Sequence, residues 1–141
     1  MDAYFLIGSY HDEAHWEWIT GKNDRGTLIY NVRLGKERAG AQVKTRLKDM
    51  KPKFAILYEE GHEHENRYRV FRIHDTAVMD EERMRNSLYP REPKGDYFIF
   101  RFDDEISLGN IDINTLISAK RIDADYAPIF VKGEELIRYR K

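Results

Sequence analysis

The chain has 141 residues, 41% apolar and 35% charged, which is enough for one domain with its own core (residues 1–141) and too apolar for a disordered chain. With 24 Lys and Arg against 25 Asp and Glu, the formal net charge of −1 argues against indiscriminate nucleic-acid binding. Cysteine is absent, so disulfides, thiolate nucleophiles and cysteine-ligated zinc are excluded; no membrane span or secretory leader pattern is found either, and a cytoplasmic location is expected.

Ala3 to Gly8 (AYFLIG) is expected as a buried first strand ending at a glycine. Ser9 or Asp12 can cap a short helix running through His15 to Ile19, because each offers a side-chain acceptor to free backbone donors. Gly21 to Gly26 is turn-rich, and the alternation of Leu28, Tyr30 and Val32 with Ile29, Asn31 and Arg33 predicts a second strand. A charged loop, Gly35 to Gly40, leads to a helix on which Val43, Leu47 and Met50 share one side, and Pro52 ends it. Phe54 to Tyr58 (FAILY) is an unbroken apolar run, the pattern of a strand covered on both faces. Glu59 to Asn66 is a polar connection, and Arg67 to Ile73 returns as a hairpin partner.

One or two helical turns are expected over Asp80 to Asn86, then an extended loop from Leu88 to Lys94. From Gly95 to Asp103 a strand places Phe98, Phe100 and Phe102 on one face and Tyr97, Ile99 and Arg101 on the other. Asp112 caps a helix whose inward stripe is Ile113, Leu116 and Ile117. Pro128 to Val131 reads as an edge strand and Glu134 to Tyr139 as a last short helix. Five or six short strands with short peripheral helices predict an α+β fold: a small, curved mixed β-sheet or pseudo-barrel.

The stretches RLKDMKPKFAILYEE and YRVFRIHD resemble the core of the PUA-like superfamily, in particular its EVE and YTH branches. The likeness lies in a basic helix, a tight turn, an apolar strand ending in Tyr, and a hairpin partner. At the turn, where relatives usually carry Gly-Asp, this chain has Pro52-Lys53. YFLIGSY is similar to the first strand and Ser-Tyr step of YTH domains, and SLYPREPKGDYFIFRFDDEI to a late EVE strand. The resemblance implies a PUA-like fold and a module that binds DNA or RNA and reads a modified or flipped base between aromatic walls.

That implication falls on Ser9, Tyr10, Trp16 and Trp18, which follow the first strand, and on Tyr58, which ends the central one. Trp16 and Trp18 point about 200° apart on a helix, so one is expected outside the core. Aromatic planes with Ser or Asn nearby are what an unstacked base requires. From Arg33 to Lys53 there are eight basic residues against Glu37 and Asp49. Within that region Lys44, Arg46, Lys48, Lys51 and Lys53 are the expected phosphate contacts; a merely solvated basic face is the competing reading.

No cofactor and no metal are expected. His11 and His15 stand at i and i+4, but the position after the first holds Asp12 rather than the Glu of zinc proteases, no third ligand is evident, and the stretch reads as exposed. His62-Glu63-His64-Glu65 reads as a solvated loop. A binding module is favoured over an enzyme. The alternative is a small metal-independent ribonuclease or hydrolase like the ASCH branch, with Lys51, Lys53 or Tyr58 in the same groove. The ASCH signature Gly-x-Lys-x-x-Glu-x-Arg is not reproduced by Gly35-Lys36-Glu37-Arg38.

Overall fold

The computed structural model describes residues 3–22, 27–34, 49–120 and 128–141. Six strands form one mixed sheet in the order β2-β5-β4-β3-β1-β6: β1 (Tyr4–Tyr10), β2 (Ile29–Leu34), β3 (Phe54–Glu59), β4 (Arg69–Met79), β5 (Asp96–Ile106) and β6 (Ile129–Lys132). The helices are short: α1 (Glu13–Glu17), α2 (Glu81–Asn86), α3 (Ile113–Lys120) and α4 (Gly133–Leu136). None of the described helices is long and apolar enough to cross a membrane.

The apolar run FAILY is the middle of this arrangement. β3 pairs in parallel with β1, Phe5 opposite Phe54 through to Tyr10 opposite Glu59. Its other edge pairs antiparallel with β4, where Ala55 faces Phe71 and Ile56 faces Val70. Burial on both faces follows from side-chain alternation. Ala55 and Leu57 join Leu6, Trp18, Ile19, Phe71 and Met84 in one cluster. Ile56 and Tyr58 join Phe5, Ile7, Val70 and the α3 stripe in the second. Asp112 Oδ1 caps α3 by accepting from Thr115 N (3.1 Å), and Ile113, Leu116 and Ile117 are buried. Each such side chain contributes about 1.5–3 kcal/mol on leaving water.

The hairpin partner runs further than its apolar pattern. β4 continues through His74, Asp75 and Thr76 to Met79, and β5 continues to Ile106, two strands of eleven residues each. Polar side chains hold this extension together: Arg101 makes two bonds to Asp75 (2.5 and 2.8 Å), and His74 Nδ1 lies 3.1 Å from Asp103. Register shifts between Phe71 and Ile73 and between Ile73 and Asp75 mark compensating bulges. Bulges twist a strand and re-aim its side chains. Away from the bulges the alternation of β5 is regular, and Tyr97 and Ile99 are buried as well as Phe100 and Phe102, so both faces of this half of the strand are covered.

The expected pseudo-barrel is corrected to an open sheet. Among the described residues β2 pairs only with β5 and β6 only with β1, so the two outer strands never meet. β6 has four residues and turns directly into α4, too short a run to build a closing ladder. Of the expected basic helix over Val43 to Met50, only its end at Asp49–Met50 falls within the described residues.

Candidate functional site

β1 and β3 are parallel and in register, so both end at the same edge of the molecule. There an open groove of about 1020 Å³ is lined by Tyr10, Leu57, Glu59, His62, Arg67, Arg69, Glu105 and Lys141, among others. Leu57, Val70, Ile106 and Ile111 give it an apolar floor, and its charged groups stand around the rim. Alternation from Leu6, Leu57 and Phe71 puts Tyr10, Glu59 and Arg69 on one face.

The wall on that face is Tyr10 and Arg69, backed by a cluster of tilted rings. Tyr10 and Trp16 have ring centroids 4.7 Å apart, and Trp16 in turn lies 6.4 Å from Phe71. The Arg69 guanidinium sits 5.2 Å from the Trp16 centroid and 5.7 Å from that of Phe71. It is fixed by two bonds to Glu105, of 2.6 and 2.7 Å, the fork geometry a guanidinium favours with a carboxylate. These bonds raise the Arg69 pKa and lower that of Glu105. The Tyr10 phenol is pushed up, first by burial and then by Glu59 beside it.

The opposite rim is built by the connection from β3 to β4. Asn66 takes the left-handed conformation (φ 52°), and its Oδ1 accepts from Asn114 N (2.9 Å), which ties this turn to α3. Tyr68 OH donates to Gly109 O (2.7 Å) and accepts from Ile111 N (3.0 Å), holding the loop after β5. Glu65 binds both His62 and Arg67, and the His62 bond raises that imidazole's pKa.

The five expected pocket residues divide. Tyr10 and Trp16 come together with Arg69. Ser9 is half-buried, alternation with Tyr10 turns its side chain to the opposite face of β1, and its carbonyl accepts from Tyr30 OH (2.8 Å). Trp18 is 2% exposed in the core, its Nε1 donating to Ser87 O (3.0 Å) and Oγ (3.2 Å). Tyr58 is likewise buried, on the other face of the sheet. Of the expected phosphate contacts, Lys44, Arg46 and Lys48 lie outside the described residues. Lys51 and Lys53 stand before β3, at its opposite end, about 20 Å along the strand from Glu59. The cations that do border the groove are Arg67, Arg69 and Lys141. Arg69 carried a usable sequence signal, since it precedes Phe71 by two and so shares its face.

His15 differs from its expectation of exposure: it is 1% exposed. Its Nδ1 accepts from His11 N (3.0 Å), which makes Nε2 the protonated nitrogen donating to Asn31 Oδ1 (2.8 Å). Asn31 Nδ2 donates onward to Tyr89 OH (3.3 Å). Burial, only partly offset by the Asn31 bond, lowers the His15 pKa to about 4. Both ring nitrogens are occupied, so the His11–His15 pair offers no two-point metal grip. Among the described residues no group of three or more His, Asp or Glu is placed to hold a metal ion.

Comparison with protein-family models, curated proteins and solved structures returned no match for this chain.

Proposed function

We propose that this chain is a PUA-like nucleic-acid-binding module of the cytoplasm that takes an unstacked or modified base into the groove at the ends of β1 and β3. The observation that carries this reading is the Tyr10–Trp16–Arg69 cluster: Tyr10 and Arg69 line the groove beside its apolar floor, with Trp16 packed at 37° against Tyr10 and under the guanidinium. A flat base gains about 1–3 kcal/mol from such a surface, whatever its identity. Arg67 and Lys141 on the rim supply phosphate contacts on either side.

Fluorescence anisotropy against plain and modified single-stranded DNA and RNA at low salt tests the reading. Tyr10→Ala is expected to weaken binding by about 1–3 kcal/mol, roughly 5- to 150-fold. Replacing Arg67 and Lys141 by Ala weakens all oligonucleotides alike and flattens the salt dependence. Absence of binding to every oligonucleotide overturns the proposal. Cleavage without added metal replaces it with the ASCH-like hydrolase.

A further inference from the structure

We infer that the groove selects a guanine edge, with the Glu59 carboxylate as the group that reads it; this rests on the base-binding proposal above. Tyr10 and Glu59 are register partners on adjacent parallel strands, so the carboxylate stands about 5 Å from the phenol ring's strand position and on the same face. That is the relation an edge reader needs to a stacking wall: beside it rather than over it.

Glu105, the other acidic side chain lining the groove among the described residues, and Glu65 on the turn beside it are already engaged. Both Glu105 oxygens are taken by Arg69, and Glu65 holds His62 and Arg67. Glu59 has a single ion pair among the described residues, with His62 Nε2 at 3.8 Å, beyond hydrogen-bond reach, and its side chain is 39% exposed. It therefore keeps acceptor capacity on both oxygens. An ionised carboxylate only accepts.

Guanine is the standard base whose pairing edge sets two donors side by side, N1–H and the 2-amino group, and a carboxylate can take both at once. Adenine and cytosine each place a ring acceptor next to their amino donor, against one carboxylate oxygen. Thymine and uracil flank a lone N3–H with two carbonyls. Hypoxanthine keeps N1–H and lacks the 2-amino group, so it tests the second bond by itself.

The experiment measures the affinity of the full chain for short oligo-dT strands carrying one central dG, dI, dA or dC. The dG strand is expected to bind about tenfold tighter than dA or dC, within the range of a bidentate pair, with dI between them. Glu59→Gln presents one donor and one acceptor, so preference moves from dG to dA and dC, whose pairing edges each offer that complementary pair. Glu59→Asp keeps the charge but withdraws the acceptor, and loses the dG preference without gaining dA. An unchanged melting temperature certifies both variants as folded. Equal affinity for all four strands, still reduced by Tyr10→Ala, overturns guanine selection and leaves base binding standing. Failure of every strand to bind overturns both. A dG preference that survives in both Glu59 variants overturns the assignment to Glu59.

Discussion

Two aromatic groups sit within one short stretch of chain and meet opposite fates. His15 and Trp18 turn inward against Tyr89, with ring centroids 5.9 and 5.0 Å from it, while Tyr10 lines the groove with Trp16 tilted against it. In the inward group the polar atoms close on protein partners. His15 uses both nitrogens, Trp18 Nε1 is shared by Ser87 O and Oγ, and Ser87 Oγ donates to Met84 O (2.6 Å). Among the described residues no buried side-chain nitrogen or oxygen lacks a hydrogen bond. In the outward group Tyr10 faces the open groove. The lesson is that aromatic and histidine content does not locate a site; what matters is whether the polar atoms are already satisfied by the fold. A satisfied network stabilises the fold, and an unsatisfied one can receive a ligand.

The sharpest way to break this contrast is truncation of the two tryptophans. Trp18→Ala should cost about 3–5 kcal/mol by urea unfolding, through the cavity it leaves and the stranded Ser87 acceptors. Trp16→Ala, half-buried behind Tyr10, should cost about 1–2 kcal/mol. Equal losses would erase the distinction between the two groups.

Acid should act on the inward group next. Its imidazole has a folded pKa of about 4, lowered first by burial, against about 6.5 in the unfolded chain. The unfolded state therefore takes up the proton first, and stability falls as pH drops from about 6.5 to about 4, by about 3 kcal/mol, then levels off below. Stability curves for wild type and His15→Gln, subtracted from one another, isolate this contribution from the carboxylates. A flat difference across that window would mean His15 is not held neutral by its surroundings.

The smallest effect belongs to the groove's own ion pair. Arg69 and Glu105 are both partly solvated, so Glu105→Gln should change stability by only about 0.2–1 kcal/mol. A loss well above that range would place the pair energetically with the buried network.

Elements whose burial pattern is local were legible in the sequence. FAILY announced a two-sided strand, and Ile113, Leu116 and Ile117 behind Asp112 announced α3. The extension of β4 and β5 was not legible. The stretch from Arg72 to Thr76 has little apolar alternation, and its pairing depends on partners such as Arg101 and Asp103 across the hairpin. The open sheet depends on which strands meet, and that is fixed by non-local pairing such as β1 with β3. At the site, the helical angle between Trp16 and Trp18 correctly separated one from the other without saying which was inward. The choice of Lys51 and Lys53 overlooked strand direction: because β3 runs parallel to β1, its start lies beside Phe5 and only its end reaches Tyr10. Arg67 and Arg69 form no run in the sequence, and only the curl of the connection brings them to the rim.

Tyr30 has one more consequence. It leaves β2, at one margin of the sheet, and reaches the carbonyl of Ser9 on β1, with three strands between them in the pairing order. A Cβ at position 8 would lie 2.4 Å from the Tyr30 hydroxyl, so glycine is what admits the ring there. The sheet is thus rolled far enough for its first and fifth strands in spatial order to touch, yet among the described residues it is fastened there by side chains, Tyr30 to Ser9 and Asn31 to His15 just past β1, instead of a seam of backbone bonds. Such a clasp can be released without breaking any ladder. Since Ser9 immediately precedes Tyr10, loosening of the β2 margin would be felt at the groove wall, and amide exchange in β2 is where the breathing of that wall would be recorded.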